Sequence, residues 1–300
     1  MKKIVIIGAS IAGHTVATAL RQIHKSCSIT LVTEEDYSLY DKRKLLDLLA
    51  GTVKDKEILL SSDEVYRDQN ITFLKETRVS SVNTEKKIMY LKNKGVLEYD
   101  FLVVCSGRKF VVPDIPGAKK EGVFSLNSLD EFKDFARRLL SGDAVCLVGS
   151  GQQVIKIAKI LAQKQKELKI FSPNGGALQE IIPSVEGQIE IINSRVMEII
   201  GEHEVQAVKL AEGKIIGASS VVFADELQSN LDFLKNTRVE TIRNTILVDD
   251  GMRTNIGEIF SCGSVCSKKD MAETGLAEKS WEEVINEGRH LAEILACLIE

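Results

Sequence analysis

Short, unbroken apolar runs, each closed by a glycine-rich turn and followed by a helical pattern, occur twice along this chain. Ile4-Val5-Ile6-Ile7 is the first run, continuous as a central parallel strand must be when both its faces are covered. Gly8-Ala9-Ser10-Ile11-Ala12-Gly13 follows directly, and Ala12 to Leu20 then places small and apolar residues at helical spacing. Ser28-Ile29-Thr30-Leu31-Val32 is the next strand and ends at Glu34-Glu35. The same order returns later: a strand from Asp143 to Val148, the turn Gly149-Ser150-Gly151, a helix from Gln152 to Lys164, and a strand over Leu168-Lys169-Ile170-Phe171.

Composition narrows the setting without naming a chemistry. The chain has 300 residues, 44% hydrophobic and 27% charged, which suits about two globular domains. The net charge of -4 provides no field to recruit nucleic acid or an anionic membrane. Lys2-Lys3, the apolar run and Ala17-Thr18-Ala19 imitate a signal peptide, but Gly8, Ser10, Gly13 and His14 interrupt the run. No apolar stretch is long enough to span a membrane. Six cysteines (Cys27, Cys105, Cys146, Cys262, Cys266, Cys297) form no C-x-x-C, and no histidine accompanies Cys262 and Cys266. Reduced thiols in a cytoplasmic protein are expected, with no metal site.

The first turn carries chemistry if it holds phosphates. Gly8 permits the tight exit from the strand, a small residue at Ser10 lets the backbone approach a pyrophosphate, and Gly13 lets the helix close on the strand. The first-turn N–H groups at Ile11 and Ala12 would then face the phosphates. Glu34 stands at the spacing of an acid that takes ribose hydroxyls, with Glu35 as the alternative. The competing reading is a strand–helix–strand unit that binds nothing. His14 opens the helix and either faces the pyrophosphate or is a plain helix residue; the second is the plainer reading.

Further segments resemble the pyridine nucleotide–disulfide oxidoreductase superfamily, in the branch of rubredoxin reductases, NADH oxidases and nitrite reductase flavin domains. Leu39-Tyr40-Asp41-Lys42 after Glu34-Glu35 is similar to the branch's E-x-x-x-x-P-Y-x-R/K, and Leu45 through Gly51 to its L-x-x-x-L-A-G. Arg78-Val79, Ile88 to Leu91 and Tyr99 to Val104 resemble a hairpin returning to the sheet. Cys105-Ser106-Gly107 stands where the family has A-T-G, and Pro113 to Gly117 matches P-x-I-P-G. Asp249 to Thr254 and Ile259 to Val265 look like V-D-x-x-M-R-T and I-F-A-A-G-D-V, and Trp281 and Gly288-Arg289 fit the last helix of the flavin domain.

That likeness implies FAD as cofactor. Lys42 would lie near the flavin or its phosphates, or be a solvated loop lysine. Val79 would meet adenine through its backbone, or be a plain strand residue. Cys105, Ser106 and Gly107 would turn over the FAD phosphates. Gly263 is kept, but the family's following aspartate is Ser264, which removes a charge from the ribitol and pyrophosphate site.

The second fold, which in the family holds NAD(P)H through turns such as Gly149 and Gly151, departs from the pattern. Val154 replaces the third glycine, Lys156 replaces a glutamate, and the second strand ends in Ser172-Pro173-Asn174 without an acid or an arginine pair. The stretch from Asn174 to Val196 looks one helix short. The family's G-x-x-P-N becomes Asp225 through Asn230 and keeps only the asparagine. Lys156 and Asp47 would form a charge-exchanged ion pair beside the flavin, or be two unrelated surface charges. The nicotinamide site either binds loosely through main-chain contacts or is a remnant.

The expected architecture is α/β, with two doubly wound, Rossmann-like nucleotide-binding domains, the second inserted into the first. Residues 1–112 and 242–300 form the FAD domain and residues 113–241 the other, with crossings at Pro113 to Gly117 and near Arg238 to Thr245. Disulfide reduction is not expected, since no C-x-x-C is present and Lys42-Arg43-Lys44 stands where relatives place a single thiol. The resemblance implies an oxidoreductase that carries electrons from NAD(P)H through flavin to a rubredoxin- or ferredoxin-like protein, or to oxygen. Two other readings remain open: an electron-transfer subunit served only by protein partners, and a non-catalytic FAD or nucleotide sensor. Relatives carry a further C-terminal domain over the flavin. Here the chain stops at a helix from Ser280 to Ile299, so an exposed flavin, or one covered by a second copy or a separate partner, is expected.

Overall fold

The computed structural model describes residues 1–92, 95–142, 144–173, 189–269, 271 and 279–299. Most of the stretch expected to be one helix short, from Asn174 on, lies outside them. The chain divides into two compact units: Met1–Asp41, Leu59–Arg108 and Ser229–Glu300 form the first, Lys42–Ile58 and Lys109–Gln228 the second. Residues 42–58, read with the first fold from sequence, group with the second. Residues 229–241 group with the first. The Pro113–Gly117 segment is no free crossing: it is fastened inside the second unit, where Ile199 N donates to Pro116 O at 2.8 Å.

The first unit is built on a parallel sheet in the order Ile259–Ser261, Phe101–Val104, Lys3–Ile7, Ser28–Val32, Ile71–Leu74. Ile4, Ile6, Leu31, Leu102 and Phe260 are fully buried in it, which explains the unbroken apolar runs. Each such side chain contributes about 1.5–3 kcal/mol on burial. The helices Ile11–Ile23 and Trp281–Ile299 pack on each other, and their approach is set by Gly288, where an added Cβ would stand 3.0 Å from Thr15 Cβ. An antiparallel ladder joins Val79–Asn83, Ile88–Leu91 and Gly95–Glu98.

The second unit repeats the plan, with a parallel sheet in the order Ile189–Ile192, Glu167–Phe171, Ala144–Val148, Ser220–Phe223, Val123–Phe124. Helix Gln152–Gln163 buries Val154, Ile157, Ala158 and Leu161. Helix Leu129–Ser141 buries Phe132, Phe135 and Leu139, and Ser128 Oγ caps it by accepting from Glu131 N at 3.3 Å. An antiparallel ladder of Val196–Ile200, Ala207–Leu210 and Ile215–Gly217 completes the unit. Both units are doubly wound α/β folds, as the strand pattern predicts. No described helix is long and apolar enough to cross a membrane.

Candidate cofactor site

Four strand ends meet along one edge of the first sheet. Register pairs Ile7 with both Val32 and Val104, and Val104 with Ser261. The segments that follow are therefore neighbours: Gly8-Ala9-Ser10, Thr33-Glu34-Glu35, Cys105-Ser106-Gly107 and Cys262-Gly263-Ser264. Strand Lys3–Ile7 has its sequence successor on one side and Phe101–Val104 on the other, so strand order reverses between them. In open parallel sheets a ligand enters the crevice at this reversal, beyond the C-terminal strand ends.

The backbone there leaves no room for side chains. Gly8 has φ +102°, and a Cβ on it would stand 2.3 Å from Cys105 O. A Cβ on Gly13 would stand 1.9 Å from Gly8 O, so only glycine lets the helix begin this close to the turn. The helix bonds start with His14 N donating to Ser10 O at 2.9 Å, which leaves the N–H groups of Ile11, Ala12 and Gly13 directed out of the helix start. Ser10 provides no side-chain cap and the first turn holds no acid, so the positive end of the helix is not neutralised by its own residues.

Two further turns flank this helix start. Ser106 Oγ donates to Asn230 O at 2.8 Å and Asn230 N donates to Gly107 O at 3.0 Å, which ties Ser106-Gly107 down. The Cβ position of Gly107, at φ +66°, lies 3.8 Å from Ser264 Oγ. Gly263, at φ +87°, is held on both sides of its peptide: its N–H donates to Glu287 Oε2 at 3.1 Å and its carbonyl accepts from Lys279 Nζ at 3.0 Å. Lys279 and Glu287 also pair with each other at 2.7 Å, each with 19% of its side chain exposed. Burial acts to lower the Lys279 pKa, but with the Glu287 carboxylate bonded to it the pKa rises. Nothing in the sequence pattern marks this clasp, which spans 16 to 24 positions.

The two acids differ in availability. Glu35 is half-buried and accepts from Tyr40 OH at 2.6 Å, whereas Glu34 is exposed, with Arg78 Nε at 3.7 Å. Glu34 is thus the better placed to take hydroxyl groups. Val79 is buried in the antiparallel ladder, opposite Leu91. His14 turns to its own fold: Nδ1 lies 2.9 Å from Tyr66 OH, and burial lowers its pKa.

Two buried thiols flank Gly263. The hydrogen bond with Cys105, together with burial, pushes the Cys262 thiol well up, and burial pushes Cys266 up to about 12. Such thiols stay protonated and are poor nucleophiles.

In the second unit Val148 pairs with Phe171 and Phe223, so Gly149-Ser150-Gly151, Ser172-Pro173 and Ala224-Asp225 share the corresponding edge. Val154 reaches the turn, its Cγ2 2.9 Å from where a Gly149 Cβ would be. Asp225 Oδ1 accepts from Ser150 N at 3.0 Å and from Ser150 Oγ at 3.1 Å. Lys156 and Asp47 both belong to this unit and are both exposed, as two separate surface charges would be. Lys42 lies half-buried in the turn Lys42–Lys44. A cavity of about 680 Å³ opens at the opposite end of this sheet, where Arg138 is paired with Glu204 at 2.7 Å; it is remote from the turn.

The first edge fits a dinucleotide: outward N–H groups, a backbone cradle that any Cβ would fill, and an exposed carboxylate within the next strand's loop. The family model described as pyridine nucleotide-disulphide oxidoreductase matches residues 2–286. The chain belongs to that family, whose members are FAD-dependent oxidoreductases. It is 26% identical over 275 residues to an NADH-rubredoxin oxidoreductase of Clostridium acetobutylicum, covering 88% of this chain and 68% of that one. It is 24% identical over 278 residues to an NADH oxidase of Methanocaldococcus jannaschii, covering 86% of this chain and 62% of that one. It thus spans about two thirds of these relatives' lengths. Its fold matches that of the putidaredoxin reductase in a covalent complex with putidaredoxin, with a TM-score of 0.84 at 20% identity over 99% of this chain and 75% of that one.

Proposed function

We propose that the chain is an FAD-dependent oxidoreductase that passes electrons between NAD(P)H and a small redox protein of rubredoxin or ferredoxin type. The observation that carries this reading is the edge of the first sheet, where three glycine-bearing turns and Glu34 converge on one helix start. When bound there, FAD supplies the ability to take up two electrons together and release them singly.

The chain's own residues bind and orient. The N–H groups of Ile11, Ala12 and Gly13 hold the pyrophosphate. Glu34 takes ribose hydroxyls. Ser106-Gly107 and Gly263-Ser264 bound the cradle, and Ser264 offers a neutral hydroxyl in place of a carboxylate. No side chain is required as a general acid or base. The electron-carrier partner is favoured by the rubredoxin and putidaredoxin reductases among the relatives.

The test is electron delivery. The FAD-loaded protein, photoreduced without oxygen, is mixed with oxidised rubredoxin or a small ferredoxin in a stopped-flow instrument. Reoxidation of the flavin with matching reduction of the carrier is the expected result. Absence of transfer to every carrier, alongside rapid reoxidation by oxygen, replaces this reading with an oxidase.

A further inference from the structure

The two folds of this chain allow an internal comparison that assigns a role to Asp225. At each sheet's reversal point the glycine turn faces the residues that follow the neighbouring strand. In the first unit, Ile7 is in register with Val104, so the second residue past that strand is Ser106. In the second unit, Val148 is in register with Phe223, and the second residue past that strand is Asp225. The two positions correspond. Ser106 is neutral, and its hydroxyl donates to Asn230 O. Asp225 is a carboxylate and turns toward its own glycine turn, where Oδ1 takes both the N–H and the hydroxyl of Ser150.

Backbone N–H groups in such a turn are what a pyrophosphate would bind. A carboxylate on them fills the same demand for negative charge and repels a second anion at close range. At the ribose position the residue corresponding to Glu34 is Pro173, which carries no carboxylate.

We propose that Asp225 is a resident anion in the phosphate seat of the second fold and is the residue that sets its affinity for anionic dinucleotides. Its carboxylate is exposed, so a dinucleotide must displace it rather than be excluded by shape. The inference rests on the oxidoreductase reading above, and concerns how strongly NADH is taken rather than where electrons go.

Direct binding tests it. NADH is titrated into the FAD-loaded wild type and into Asp225→Asn and Asp225→Ala, with affinity read by calorimetry and folding checked by circular dichroism. Asp225→Asn keeps size and an acceptor oxygen but removes the charge, and guards against a fold defect in Asp225→Ala. The expected result is weak binding by wild type and at least about tenfold tighter binding by both variants. Salt should weaken NADH binding more in the variants than in wild type, because their seat is open to the phosphates. Tight micromolar binding by wild type overturns the proposal, and so does unchanged affinity in both variants. Variants that gain NADH affinity but still reduce no protein carrier would uphold the role of Asp225 and count against the electron-carrier reading instead.

Discussion

Gly13→Ala is expected to strip FAD from the protein and to lower the melting temperature of the first unit by about 5–10 °C. The reason is contact with backbone rather than with a movable side chain. The new Cβ would lie 1.9 Å from Gly8 O, and Gly8 is itself fixed by Gly8 N donating to Val32 O at 2.8 Å. The helix start has to withdraw from the sheet edge, and the N–H groups that define the cradle go with it. Gly151→Ala is the control in the second turn. Its φ is -83° and nothing lies within 4 Å of its Cβ position, so stability should change by less than about 0.5 kcal/mol. Thermal denaturation followed by flavin release distinguishes them; equal effects from the two substitutions would refute the contact argument.

Lys279→Met is expected to have the next largest effect, about 3 kcal/mol of destabilisation with weakened FAD retention. Glu287 would keep the bond to Gly263 N–H but lose its cation in a setting with 19% side-chain exposure. An ionised carboxylate left unpaired there is costly, whereas removing both charges is much less so. The double variant Lys279→Met with Glu287→Leu should therefore recover part of the loss in stability. FAD affinity should stay reduced, because the peptide of Gly263 next to Ser264 has lost both anchors. Urea denaturation and flavin titration on the single and double variants separate the two effects. If the double variant is no more stable than the sum of the single changes, the pair is not coupled.

Particular residues show what a sequence can carry here. Ile4 to Ile7 and Ala144 to Val148 read as strands because burial on both faces leaves no room for polar alternation. Gly8 and Gly13 read as a phosphate turn because only glycine meets the steric demand later seen at Cys105 O and Gly8 O. The helix Leu129–Ser141 escaped that reading, although Ser128 followed by Glu131 is a capping signature that marks its start. The clasp of Lys279 and Glu287 was illegible for a different reason. Its partners meet Gly263 only through packing of the last helix, and no periodicity links them.

Strand register was the other hidden quantity. Asp225 follows an apolar strand and looks like any loop acid. Its place opposite Ser150 depends on Val148 and Phe223 being partners, which no local pattern encodes. For Lys156 and Asp47, likewise, motif order fixes neither distance nor direction.

On the function proposed above, the edge of the first sheet holds one FAD. Apoprotein titrated with FAD, with flavin fluorescence and calorimetry read together, tests it most directly, using wild type, Glu34→Ala and Glu35→Ala. One FAD per chain is expected, with about tenfold weaker binding after Glu34→Ala and little change after Glu35→Ala. No saturable binding, two FAD per chain, or equal affinity in wild type and Glu34→Ala would contradict it.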